Sequence, residues 1–83
     1  MKVDQQTLRE TVLSLLRAIA PELDPDALAA ERPLRHQVDL DSMDWLNFLV
    51  SLQERFGVQV AESDYARLIS LNDVLDYLQA RLV

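Results

Sequence analysis

Apolar residues recur at helical spacing in three stretches of the chain. Leu8, Val12, Leu15 and Ile19 follow one another at intervals of four, three and four, which draws one apolar stripe along an amphipathic helix over residues 4–20. Pro21 ends it, because proline has no amide to continue the ladder and its ring clashes with the preceding turn. At the start, either Asp4 is the N-cap or Thr7 and Glu10 form a capping box one turn later, and the sequence leaves both open. The second stretch, residues 42–56, sets Trp45, Leu49, Leu52 and Phe56 on one stripe with Met43, Leu46 and Val50 on a flank beside it. Gly57, the only glycine, follows where a C-terminal cap belongs. In the third stretch Ser70 and Asp73 form a capping box ahead of Leu71, Val74, Leu75, Leu78 and Leu82, a helix running nearly to the last residue.

The connections read differently. Between residues 21 and 41, Pro21, Pro25 and Pro33 interrupt any regular element, which predicts a long loop. Loops of that length in a compact domain are usually functional. Leu23, Leu28, Leu34, Val38 and Leu40 can anchor this one on the core, with a helical turn near residues 25–30. Val58 and Val60 make too short a run for a sheet, so residues 58–61 are an extended connector, and a short helical piece follows around residues 63–68. Three long helices and one short one, with no sheet available, must bury their stripes against one another. The expected fold is all-α, a four-helix bundle with a long loop between helices 1 and 2, in a single domain over residues 1–83 without internal repeats.

Composition narrows the function. There is no cysteine, so neither a disulfide nor a thiolate metal site holds the fold, and thiol chemistry would have to come from outside the chain. Fourteen acidic residues against eight basic ones give a net charge of -6, which disfavours nucleic acid and favours basic protein partners. A helix-turn-helix regulator would need a basic recognition helix, whereas residues 42–56 carry two acids and one base. No basic start with an apolar run opens the chain, and no window approaches a membrane span, so a cytoplasmic location and a monomer are expected.

The chemistry concentrates at Asp39-Leu40-Asp41-Ser42-Met43-Asp44-Trp45-Leu46, where the long loop enters the second helix and Ser42 occupies its first turn. In isolation Asp41 reads as a cap and Ser42 as a tolerated first-turn residue. The surroundings add charge: over residues 39–64, six acids (Asp39, Asp41, Asp44, Glu54, Glu62 and Asp64) face one base, Arg55, a net of -5. The run Asp-Ser-Met-Asp, followed by an amphipathic helix ending in Glu-Arg-Phe-Gly, closely resembles acyl carrier proteins. The resemblance extends through Val58-Gln-Val-Ala61 and the short helix to Ser70-Leu-Asn-Asp-Val-Leu-Asp-Tyr-Leu78, and so covers nearly the whole chain.

This resemblance implies that Ser42 takes 4'-phosphopantetheine from coenzyme A and that the arm carries acyl groups as thioesters for fatty-acid, polyketide or related biosynthesis. The chain would then be no enzyme but a carrier, modified by a phosphopantetheinyl transferase and used by acyl-loading and acyl-processing enzymes with basic patches. By position the resemblance assigns Asp41, Asp44 and Glu54 to those contacts, with Met43, Leu46 and Val50 as their apolar centre; solvated acids and ordinary core are the plain readings of the same residues. A helix N-terminus suits a phosphodiester, although Asp41 and Asp44 oppose it electrostatically.

Departures from the family pattern point to a specialised carrier: Asp39 stands where many relatives have glycine, Ala61 where proline is common, and Asn47 and Gln53 where acids are frequent. Peptidyl carriers often have Gly-Gly where Asp39-Leu40 stands, so acyl cargo is favoured over aminoacyl or peptidyl cargo. An unmodified acidic adaptor is a further alternative, opposed by the presence of Ser42. His36 invites a Ser-His-Asp reading, but no glycine-rich turn near Ser42 offers an oxyanion hole. With one histidine and no cysteine, metal ligation is not expected beyond loose binding by Asp39, Asp41 and Asp44. Trp45 and Phe48 could stack on a ligand, yet Trp45 lies on the main stripe and reads as core.

Overall fold

The computed structural model describes residues 4–82. Four α-helices, α1 (Gln5–Ile19), α2 (Leu34–Gln37), α3 (Ser42–Phe56) and α4 (Leu71–Leu82), are joined by one 3-10 helix, Glu62–Arg67. Among the described residues there is no strand, only an isolated antiparallel bridge between Pro33 and Ser70. The three long helices and one short helical piece expected from periodicity are present, and α1 packs against both α3 and α4.

Each long helix starts where its cap dictates. Asp4 rather than Thr7 opens α1, its Oδ2 accepting from the Thr7 amide at 3.2 Å. The capping box of α4 forms in both directions: Ser70 Oγ accepts from the Asp73 amide at 3.1 Å, and Asp73 Oδ2 accepts from the Ser70 amide at 3.0 Å. Gly57 ends α3 in the left-handed region at φ 66°, a conformation that costs a residue with a Cβ about 1–2 kcal/mol.

The buried face of α1 is rotated from the expected stripe. Leu8, Val12, Leu13 and Leu16 are buried, while Leu15 and Ile19 lie at the margin of the core. This helix is apolar over a broad arc, and several four-residue stripes fit such an arc equally well; contact with α3 and α4 chooses among them. On α3, Phe48 joins Trp45, Leu49 and Leu52 in the core, its ring 5.3 Å from that of Trp45, and Phe56 is half-buried.

The loop between α1 and α3 is packed, as its apolar residues predict: Leu23, Leu28, Leu34, Val38 and Leu40 are all buried. Its helix, however, is α2 at Leu34–Gln37, and only a single turn, closed by the Ala27 amide on the Asp24 carbonyl at 3.1 Å, lies in the expected place. Pro33 stands at the N-cap of α2 (φ -56°, ψ 127°), and the Leu34 amide that opens the helix donates to the Ile69 carbonyl, a contact far along the chain that periodicity does not reveal. Gln37 holds the rest together: Oε1 accepts from the Ala29 amide at 2.7 Å, and Nε2 donates to the Ala29 carbonyl at 2.9 Å and the Arg32 carbonyl at 3.1 Å. Backbone bonds from Leu34 to the Ile69 carbonyl and from Asn72 to the Ala30 carbonyl, at 2.9 and 3.0 Å, fasten the loop to the start of α4. The loop's exit is thereby fixed, and with it the start of α3.

Candidate functional site

Asp41 is extended (φ -80°, ψ -179°), its carbonyl accepts from the Trp45 amide at 3.0 Å and its Oδ1 accepts from the Asp44 amide at 2.8 Å. These two bonds, with Leu40 buried just before them, fix Ser42 as the first residue of α3, where its side chain is exposed. The cap takes the Asp44 amide, so the Ser42 and Met43 amides remain as donors at the positive end of the helix. An anion held on the Ser42 hydroxyl would sit beside them, which fits a phosphodiester. Asp41 and Asp44 weaken that preference.

The residues expected to meet partners fall on one face. Met43, Leu46 and Val50 are 67%, 43% and 46% exposed, so they are surface rather than core. With the exposed Glu54 they follow one another at three, four and four, a stripe along α3 that begins beside Ser42. Asp41 stands at the head of this stripe, while Asp44 is half-buried and about 100° around the helix from Met43. The four positions that depart from the family pattern separate as well. Asp39 and Asn47 are exposed, and Ala61 precedes the 3-10 helix. Gln53 instead turns inward in function: its Oε1 accepts from the Val60 amide at 3.1 Å and pins the connector to α3, a task that needs an amide or carboxyl oxygen rather than a charge.

Periodicity does not single out Ile69, 50% exposed, because it precedes the α4 capping box and belongs to no stripe. It lines a cleft of about 430 Å³ between α2, the start of α3 and the 3-10 helix, together with Arg35, His36, Leu40, Trp45 and Tyr65. Trp45 is thus core on most of its surface and cleft wall on the rest, being 8% exposed. His36 belongs to the cleft as well. Asp39, Asp41 and Asp44 form no cluster able to hold a metal ion among the described residues.

Of the six acids over residues 39–64, Asp64 is taken up internally. Its carboxylate accepts from the Tyr77 hydroxyl at 2.7 Å and pairs with Arg67 at 3.4 Å and Arg81 at 3.6 Å, and the Arg81 guanidinium lies 3.5 Å from the Tyr77 ring centre. Burial, followed by the bond to Asp64, raises the Tyr77 phenol above its ordinary value.

Fold and site together define a small helical domain that presents a serine at a capped helix start, beside an apolar stripe and a cleft. The model of the family described as phosphopantetheine attachment site matches residues 6–78. The acyl carrier protein of Campylobacter hominis is 31% identical over 55 residues, covering 66% of this chain and 70% of that protein. That of Thermosynechococcus vestitus is 26% identical over 74 residues, covering 86% and 91%. Among solved structures, the acyl carrier protein from Enterococcus faecalis matches with a TM-score of 0.69 over 87% of this chain and 95% of that one, at 20% identity, a likeness of fold. The chain belongs to the acyl carrier protein family, and its cofactor is a covalently attached 4'-phosphopantetheine. No helix among the described residues is long and apolar enough to cross a membrane.

Proposed function

We propose that this chain is a single carrier domain whose Ser42 bears the phosphopantetheine arm, and that it shuttles acyl intermediates between enzymes of fatty-acid, polyketide or related specialised biosynthesis. The observation that carries this reading is the exposed Ser42 hydroxyl on backbone fixed by the Asp41 cap. A phosphopantetheinyl transferase must bring that oxygen against the phosphate of coenzyme A, and a hydroxyl at a rigid helix start meets the demand without rearrangement of the carrier. When bound, the arm supplies a terminal thiol, which the cysteine-free chain lacks, to hold acyl groups as thioesters.

Met43, Leu46 and Val50 serve as the apolar centre of the contact with the transferase and with acyl-loading and acyl-processing enzymes, while Asp41, Asp44 and Glu54 meet basic patches around it. Opposite charges at a rim raise encounter rates more than they lengthen residence, which suits a cytoplasmic monomer that must leave each partner. Asn47, exposed and uncharged on the same helix, supports a restricted set of partners.

The test is intact mass before and after incubation with coenzyme A, magnesium and a broad-specificity transferase, on the wild type and on Ser42→Ala. One added arm on the wild type alone is expected. No addition to the wild type by any transferase, or equal addition to Ser42→Ala, would overturn the assignment.

A further inference from the structure

The cleft beside the attachment serine is lined by two unlike kinds of side chain. Its lining combines the apolar and aromatic side chains of Leu40, Trp45, Tyr65 and Ile69 with Arg35 and His36 from α2. Leu40 and Trp45 stand two residues before and three residues after Ser42, so these two lining residues have their Cα atoms within roughly 11 Å of it, at about 3.8 Å per residue. Its volume of about 430 Å³ falls at the small end of the range for ligand pockets, about 300–1,000 Å³. We propose that, among groups carried on the Ser42 arm, this cleft selects short cargo whose far end is a carboxylate, with Arg35 as the specificity-determining residue. The proposal rests on Ser42 as the attachment site.

Arg35 is held at the cleft without being used up. Its Nε donates to the Leu40 carbonyl at 3.3 Å, which leaves both terminal nitrogens available, and among the described residues no carboxylate pairs with it. A guanidinium so oriented offers a planar fork that matches a carboxylate, and a charge-assisted bond of this kind is roughly twice as strong as a neutral one. His36 adds a polar ring to the lining, while the apolar and aromatic side chains accommodate the methylenes between thioester and carboxylate.

Asp39, Asp41 and Asp44 oppose an incoming anion. Asp39 and Asp41 are exposed, where salt screens charges over about 8 Å at physiological ionic strength, whereas the guanidinium would touch the carboxylate directly. The acids therefore slow entry more than they weaken the seated state. A neutral acyl group of equal length gains the apolar contact alone.

The experiment loads the whole chain, through a broad-specificity transferase, from adipoyl-coenzyme A or from its terminal amide, adipamoyl-coenzyme A, and verifies each product by intact mass. The half-life of each thioester in hydroxylamine is then measured relative to the same acyl-coenzyme A free in solution. Wild type is expected to protect adipoyl about two- to fivefold more than adipamoyl, the range of an exposed ion pair. Adipoyl should also shift the Trp45 indole resonance further. Arg35→Gln should abolish the difference, and Arg35→Lys, which keeps the charge, should keep part of it. Equal protection on fully loaded wild type, or an unchanged difference in Arg35→Gln, overturns the cargo proposal and leaves Ser42 as attachment site intact. Absence of the mass addition overturns both.

Discussion

At the scale of single residues, a carboxylate accepts a backbone amide at the start of each long helix, through Asp4 at α1, Asp41 at α3 and Asp73 at α4, and the last two differ in consequence. Asp41 is exposed and stands beside the serine, whereas Asp73 gathers the Ser70 and Ile69 amides, at 3.0 and 3.2 Å, where the chain leaves the cleft for the last helix. The bond from the Ser70 amide holds the Asp73 carboxyl below its ordinary value of 3.8; burial works against this, and the Ile69 amide and Ser70 hydroxyl add to it. A carboxylate favoured by the fold contributes stability above its unfolded-state value, and the contribution is lost as pH falls through the lower folded-state value. Asp73→Ala is therefore expected to cost about 1 kcal/mol at neutral pH, as lost caps do. The gap from wild type should shrink as pH falls below 3.8. Urea midpoints at pH 7 and near pH 3 check this, and a gap that stays constant would mean the carboxylate's charge is not what holds the cap.

At the scale of elements, the 3-10 helix is the part least able to hold itself: none of its residues is buried, and no side chain caps its start. Asp64 ties it to α4 through Tyr77 and Arg81, and the cleft wall formed by Tyr65 depends on that tie. Tyr77→Phe removes the hydroxyl while the two arginines still face Asp64, so the element should loosen rather than unfold. Amides 62–67 are expected to exchange faster, at a global cost of about 1 kcal/mol, with α1 and α3 protection unchanged. Hydrogen exchange followed by mass spectrometry distinguishes this from uniform loosening, which would mean that Tyr77 acts through the core instead. Such ties mark the limit of what the sequence discloses. The three long helices were legible because period and caps agree, as were the anchors of the loop, because a buried leucine needs no particular partner. The face of α1, the place of α2 and the role of Gln37 were not legible, since each is settled by contacts between residues far apart or by one side chain bonding several carbonyls. At the site, the exposure of Met43, Leu46 and Val50 depended on which arc of α3 the core took, and Ile69 had no pattern to belong to.

At the scale of the whole molecule, the net charge of -6 is not spread evenly, and the fold decides which acids remain for a partner. Asp64 is neutralised internally, while Asp39, Asp41 and Glu54 stay exposed around α3, next to an apolar stripe that salt does not screen. The two parts of the surface should therefore answer differently to ionic strength. Long-range attraction accelerates encounter with a basic partner and fades as the Debye length drops from about 10 Å at 0.1 M to about 3 Å at 1 M. The apolar contact acts only once the surfaces meet, and truncating it acts on dissociation. For loading by a transferase, kcat/KM is expected to fall several-fold between low and high salt. Glu54→Gln should lower the low-salt value and flatten the dependence. Leu46→Ala should lower kcat/KM at every salt concentration and leave the slope unchanged, without a change in thermal midpoint, because Leu46 is 43% exposed and little core is lost. Loading that is indifferent to salt, or a Leu46 variant as active as the wild type, would place the contact on another face of the domain.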